Sequence, residues 1–452
     1  MIVVKFGGTS VGDAAAIERA TTIVQTKLAA QPVVVVSALG GATNVLLALA
    51  EQAAQGQLIG ALSAVESLRD RHLAQAHALL GDGAEAADVA CEVSASFDEL
   101  ASLAEALSVL GHITPRSVDA IAATGEQLSS LIVAAAFRAR GIDAALVDAR
   151  DVMITDDQFT RAEPRPDPIA DAARTHLLPL LRAGRVPVMG GFVGATAGRI
   201  TTTLGRGGSD YSASLVGAAL QAEAIEIWTD VDGMLTADPR TVSGARLIEQ
   251  IRFDEASELA SFGAKVLHPA TIAPAVRRGI PVFVYNSRRP EGQGTRITFD
   301  APRRAVTAVA GKAGTTIVRV TSGRMLLAHG FLRTVFEVFA RHRAPVDVVA
   351  TSEVSVSVTV DDPVPLDAIV SDLRELGDVA VERNRGIVAV VGAGLSASGA
   401  TIARGVASLD GLRIHMLSLS ASGINLTVVI DADQVAPAMQ RLHAAFFDEA
   451  AA

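Results

Sequence analysis

Three times in its first 191 residues the chain runs a short β-branched stretch into paired glycines. Ile2–Phe6 leads to Gly7-Gly8, Val33–Ser37 to Gly40-Gly41, and Val186–Met189 to Gly190-Gly191. Continuous apolar runs of this length suit strands buried on both faces of a sheet, where polar alternation has no place. Runs at Ile142–Val147, Ile225–Thr229 and Val282–Tyr285 repeat the type. Alanine-rich helical segments lie between most of them, at Ala14–Ala29, Asn44–Ala54, Glu126–Arg140, Asp210–Ala222 and Glu255–Phe262. This alternation predicts an α/β domain with a mainly parallel sheet and right-handed crossovers. Gln57–Ala106 reads as a helical insertion covering that sheet.

The rhythm changes near Asp300-Ala301-Pro302-Arg303-Arg304, which marks a boundary. Beyond it lies an internal repeat. One copy runs strand Ile317–Thr321, helix Leu332–Arg343, strands Val346–Ala350 and Val354–Val360, helix Pro365–Leu376 and strand Val379–Glu382. The next opens 70 residues later with Ile387–Val391, followed by helix Ala400–Ser408, strands Leu412–Ser418 and Asn425–Ile430, and helix Val435–Phe446. Each copy spells the ferredoxin-like β-α-β-β-α order. The second runs out of chain after its last helix, and a spare strand, Ala305–Ala310, precedes the first. The spare strand is therefore expected to complete the second copy, with the first inserted in it. The domains expected are 1–300, 315–385, and 301–314 joined to 386–452.

Composition narrows the function. A net charge of −10 makes the chain a poor general binder of nucleic acid or anionic membranes, so any anionic ligand must be met by local cations. The single cysteine, Cys91, excludes a disulfide framework within the chain and any multi-cysteine metal site. The uncharged stretches Leu28–Ala50 and Gly386–Ala403 are broken by glycines, Pro32 and Asn44, which suits strand, turn and helix rather than a membrane span. A soluble, cytoplasmic protein is expected.

The glycine turns carry the candidate chemistry. Gly7 and Gly8 let the backbone approach a ligand, and Lys5 adds a point charge beside them. Thr43, after Gly40-Gly41, is either a helix cap or part of an anion site at that helix start. A fourth turn, Leu204-Gly205-Arg206-Gly207-Gly208-Ser209-Asp210, opens a helix; Arg206 offers a planar fork for a carboxylate. Asp210 caps the helix, orients an ammonium, or does both. Ligands in such sheets sit beyond the carboxyl ends of the strands, so the turns predict one shared anionic-ligand site there. Trp228-Thr229-Asp230 ends a strand and leads on to Arg240, and Phe262-Gly263-Ala264-Lys265-Val266-Leu267-His268-Pro269 closes a helix. No histidine pattern suggests a metal. Val391-Gly392-Ala393-Gly394-Leu395-Ser396-Ala397 imitates a dinucleotide fingerprint, but only about 60 residues follow, too few for that fold.

Lys5–Val11, Gly205–Asp210, Trp228–Asp230 and Phe262–Pro269, in this order and at these distances, resemble the aspartokinases. The resemblance spans essentially the whole chain. It implies an amino acid kinase fold, a mainly parallel sheet covered by helices, followed by two ferredoxin-like ACT domains, one inserted in the other. It implies transfer of the ATP γ-phosphoryl group to the β-carboxylate of L-aspartate, the entry to lysine, threonine and methionine synthesis. By matching motif, Lys5 and Asp210 are implied to be catalytic. Thr43, Glu126, Arg206, Gly207, Gly208 and Ser209 are implied to hold aspartate. Lys5, Gly7, Gly8, Thr229, Asp230, Arg240, Lys265 and Val266 are implied to hold ATP, with Mg²⁺ bridging its phosphates. Leu235 departs from the family, where many relatives carry Tyr. The segment from Gly330 to Ser357 resembles the lysine-sensitive class, which implies L-lysine as effector at Met325, Asp347, Ser352 and Glu353, with threonine the alternative; Ala328 and Pro345 replace Ser of relatives. A homodimer or tetramer through the ACT domains is expected, pairing along Val354–Val360. The rival readings are another kinase of the same fold and a catalytically dead amino-acid sensor.

Overall fold

The computed structural model describes residues 1–205, 207–262, 269–326 and 329–448. Two compact units emerge: Met1–Met234 with Leu267–Phe299, and Leu235–Val266 with Asp300–Ala452.

The first unit is built on parallel strands in the order Ala144–Val147, Val186–Gly190, Pro32–Val36, Ile2–Phe6, Ala224–Thr229 and Val282–Asn286, with Thr295–Ile297 antiparallel at the end. Every residue of Ile2–Phe6, Pro32–Val36 and Val186–Gly190 is buried, as continuous apolar runs require. Val3 and Lys5 share one face. Helix Gly208–Leu220 lies against it because Gly217 has no side chain: a Cβ there would meet Ile225 Cδ1 at 2.7 Å and Val3 Cγ2 at 3.7 Å. Helices Leu58–Leu80 and Ala84–Leu110 pack into the core on the other face, with Val4, Phe6 and Trp228.

Several helices start earlier than the sequence suggested. Pro115–Ala139 begins at the Thr114 cap, whose hydroxyl accepts from Ser117 N, with Pro115 in the first turn. Gly125 lies inside it at a point of close approach, where a Cβ would lie 2.9 Å from Ala38 Cβ. Ala42–Ala54 begins after Gly41 at φ 80°, so Thr43 lies inside the first turn and does not cap it. Likewise Asp210 is a first-turn residue, since Gly207 at φ 69° holds the cap position. A small sheet of Ile154–Thr155, Val193–Thr196 and Thr201–Thr203 was not anticipated. Pro115–Ala139 is the helix among the described residues long and apolar enough to cross a membrane, yet it is mostly buried in the core.

Buried His72 gives this unit an acid limit. Its Nδ1 lies 2.7 Å from Leu68 O, its Nε2 has no partner, and its ring meets Phe97 edge-on at 5.2 Å. Burial holds its pKa below the ordinary 6.5. The folded state therefore resists protonation while the unfolded chain accepts it. Stability is expected to fall as pH drops from 6.5 toward the depressed folded value. Melting curves of the parent and His72→Leu at pH 7.5 and 5.5 check this, the variant losing less on acidification.

The second unit holds an antiparallel sheet in the order Val349–Thr351, Ser355–Asp361, Ala308–Thr321, Asp378–Val391, Asn425–Asp431, Met416–Leu419. The spare strand and the opening strand of the first copy are one run, Ala308–Thr321, with register shifts between Ala313 and Ile317. Its first half pairs with 386–391 and its second half with Ser355–Asp361 and 378–382. The stretch expected at the pairing edge, Val354–Val360, lies mostly in the interior strand Ser355–Asp361, between Val349–Thr351 and Ala308–Thr321. That expectation is corrected, because the short strand Val349–Thr351 takes the edge. The dinucleotide-like glycines are also explained. The carbonyl of Ala305 occupies the place of a Cβ on Gly392, and Gly394 N donates to Arg304 O at 2.8 Å. Residues of 235–262 belong to this unit. Glu255 Oε1 accepts from Thr307 Oγ1 and Ala393 N at 2.7 Å each, and Thr236 Oγ1 lies 3.0 Å from His443 Nε2.

Candidate active site

Glycine brings the loops at the carboxyl ends of the first unit's strands together. A Cβ on Gly8 would stand 3.6 Å from Gly40 Cα, one on Gly12 3.0 Å from Gly8 O, and one on Gly40 3.2 Å from Gly8 O. The first two glycine turns thus pack backbone on backbone. Gly7, whose N donates to Trp228 O at 3.0 Å, has more room, the nearest atoms to its Cβ position being Lys5 Nζ at 3.5 Å and Trp228 O at 3.6 Å. The third and fourth turns interlock as closely. A Cβ on Gly191 would lie 2.7 Å from Ser209 Cα, and one on Gly208 2.6 Å from the Phe192 ring. Gly40→Ala is therefore expected to displace the first turn and raise the KM for the ligand it holds, read from steady-state kinetics.

Between these turns lies a cavity of about 530 Å³ lined by Lys5, Thr43, Glu126, Gly207, Gly208, Ser209 and Asp210. The structure thus brings together all seven of these sequence-derived candidates. Ser37, Asn44, Thr160, Phe192 and Thr203 also line it, and none was anticipated. Phe192 sits at φ 63°, a tertiary constraint that leaves no sequence signal.

Lys5 and Asp210 form a pair on one wall. Lys5 Nζ is 2.5 Å from Asp210 Oδ1, with the side chains 9% and 14% exposed. Asp210 stands in the first turn of its helix, where the peptide dipoles favour a carboxylate. Glu126 is different in kind. It is buried, its Oε2 has no hydrogen-bond partner, and burial pushes its pKa up to about 8 against the opposing pull of the Ala38 backbone N–H. A buried acid that lines a cavity with one oxygen left unpartnered suits a ligand cation. The cavity thus offers an ammonium paired with a carboxylate and, apart from that pair, a buried carboxyl group with one oxygen unpartnered.

The remaining nucleotide candidates are more scattered. Thr229 ends its strand and its carbonyl accepts from Ser287 N at 2.8 Å; Asp230 follows, exposed. Trp228 stacks on Tyr285 at 4.8 Å. Arg240 belongs to the second unit, exposed, with Nη2 bonded to Asp238 Oδ2 at 2.6 Å. Arg206, Lys265 and Val266 lie outside the described residues. Among the described residues no group of three or more histidine, cysteine, aspartate or glutamate side chains gathers as for a metal ion.

The effector candidates stand in the second unit. Met325 packs on the core that contains Val335, Val356 and Ile369. Asp347 is already engaged, because Lys312 Nζ donates to Asp347 Oδ2 and to Asp361 Oδ2, both at 2.6 Å. Ser352 N donates to Ser355 O at 2.8 Å, and Glu353 is exposed in the same turn.

Comparison with known proteins completes the picture. Residues 1–286 match the amino acid kinase family and residues 388–446 an ACT domain. The chain is 38% identical to the lysine-sensitive aspartokinase 3 of Escherichia coli strain K12, covering 99% of each protein. It is 34% identical to the chloroplastic aspartokinase 3 of Arabidopsis thaliana, over 99% of this chain and 81% of that one. The crystal structure of the E. coli aspartokinase III complex with aspartate and ADP superposes with a TM-score of 0.87, covering 99% of this chain and all of that one at 38% identity. A second structure of that enzyme, with lysine and aspartate, gives a TM-score of 0.83 at 37% identity. With this fold, these turns and these relatives, the chain belongs to the aspartokinase family.

Proposed function

We propose that the cavity holds L-aspartate and that the chain transfers the γ-phosphoryl group of ATP to its β-carboxylate, giving 4-phospho-L-aspartate. The observation that carries this is Glu126, a buried carboxyl group whose Oε2 has no partner, in the same cavity as the Lys5–Asp210 pair. The α-ammonium of aspartate answers Glu126, and Thr43 and the 206–209 turn serve its carboxylates. The β-carboxylate is already a nucleophile, so no general base is needed; alignment and screening of charge suffice. Lys5 neutralises charge at the transferring group, and Asp210 holds Lys5 in place. Gly7, Gly8, Thr229 and Asp230 serve the nucleotide. Mg²⁺ would arrive on the phosphates and screen their charge, with Asp210 a carboxylate in the same cavity. A coupled ADP-release assay with aspartate, glutamate and N-acetylglutamate tests the reading. Turnover with aspartate supports it, and turnover only with another acceptor sinks it.

We assign 1–300 to the catalytic domain, although its segment 235–262 folds with the second unit, 315–385 to one ACT module and 301–314 with 386–452 to the other, in a cytoplasmic enzyme. L-Lysine is the effector of this reading, bound near Met325, Asp347, Ser352 and Glu353. Its two ammonium groups suit the two carboxylates, although Lys312 must share Asp347. A homodimer or larger assembly forms through the edges Val349–Thr351 and Met416–Leu419, where Val349, Leu417 and Leu419 are exposed. Titrating activity with L-lysine and L-threonine should give inhibition by lysine, lost in the Asp347→Ala/Glu353→Ala double variant. Inhibition by threonine alone, or lysine inhibition that survives the double change, rejects this effector site.

A further inference from the structure

Asp119 lies on helix Pro115–Ala139 and is 0% exposed. A carboxylate in such a place costs free energy unless its oxygens are well used. Its donors among the described residues are all neutral and come from two chain segments. Thr160 N lies 3.0 and 2.9 Å from the two oxygens, Thr203 N 3.1 Å from Oδ2, and Thr203 Oγ1 2.6 Å from Oδ1. Thr160 has φ 72°, a left-handed backbone that a β-branched residue adopts only under external constraint. Thr160 and Thr203 both line the cavity. The same wall is tied together by Ala162 N donating to Thr203 O at 2.9 Å, and Gly205 leaves only 3.3 Å between its Cβ position and Thr160 O. The chain passes directly from this wall into the 206–209 turn.

We infer that Asp119 is a positioning residue that clamps Thr160 to Thr203, setting the width of the cavity and thereby the affinity for the amino-acid acceptor. This rests on the assignment of the cavity to aspartate. An amide in place of the carboxylate turns an NH₂ group toward N–H donors, so the clamp loosens while the volume is kept. Asp119→Asn should raise the aspartate KM about tenfold or more, with the ATP KM within about twofold and kcat within about threefold. Thr203→Val, which deletes only the hydroxyl donor, should raise the aspartate KM about threefold, and Thr203→Ser should return it to the parent value. A folded Asp119→Asn protein with an unchanged aspartate KM overturns the clamp. If that variant does not give a cooperative melt, the Thr203 pair decides: Thr203→Val with the parent aspartate KM overturns it. A change in the ATP KM alone overturns instead the assignment of the cavity to aspartate, and the clamp's role with it.

Discussion

Lys5→Met is expected to lower kcat by about a thousandfold or more, with a much smaller change in the ATP KM. Removing one preorganised charge from a transition state typically costs about 10²–10³ in rate, and here the change does two things. It deletes the cation beside the transferring group, and it leaves Asp210 without its partner at 2.5 Å. The lone carboxylate then adds negative charge where charge is already concentrated. Asp210→Asn should cost less than Lys5→Met, because the ammonium remains. Breaking a buried pair also destabilises, by about 3–5 kcal/mol for a fully buried one, and these side chains are not fully buried. Thermal melts must therefore accompany the kinetics. Folded Lys5→Met protein with near-parent kcat would reduce the pair to a device that shapes the turn.

Much of this arrangement was legible because local chemistry and tertiary structure agree. Each paired glycine after a β-branched run marked a strand end, and strand ends in a parallel sheet place their turns on one edge. The reason for individual glycines was not legible. Gly8, Gly12 and Gly40 are small because they touch one another, a contact between segments far apart in sequence. The repeat was visible through its order of elements, yet the fusion of the spare strand into Ala308–Thr321 was not. Gly311 and Gly314 lie within it, and the strand runs through them with its register shifted around 313–317. The edge was misassigned because Val354–Val360 has the stronger β pattern, while three modest residues, Val349–Thr351, cover it. Asp119, Thr160 and Phe192 carry no sequence motif. For Asp119 and Thr160 the role comes from a buried acid meeting backbone donors more than 40 residues away.

Glu126→Gln should abolish tight aspartate binding and also remove most of the pH dependence of that binding. In the empty site the Glu126 carboxyl holds its proton to about pH 8, because burial disfavours the charged form. An incoming ammonium stabilises the carboxylate, so binding at neutral pH releases a proton. The aspartate KM of the parent enzyme should therefore fall as pH rises from 6.5 toward 8, and level off above that. The amide has no proton to lose, so the variant's KM should be high, by about a hundredfold, and nearly flat over the same range; the loss is that of a charge-assisted contact, about 1.5–3 kcal/mol. Stability should move the other way. The unfolded chain ionises Glu126 near its ordinary 4.5 while the folded chain does not until about 8. The parent therefore carries a penalty that grows across that interval, on the order of 3 kcal/mol at pH 7 from about 1.4 kcal/mol per pKa unit. Glu126→Gln lifts the penalty, so the ligand-free variant should melt higher than the parent at pH 8 and no higher at pH 4. Kinetics at several pH values and melts without aspartate read both effects on the same two proteins. An aspartate KM in the variant that still falls with pH as the parent's does would assign the titration to another group, and a lower melting temperature at pH 8 would show that the folded protein holds Glu126 ionised.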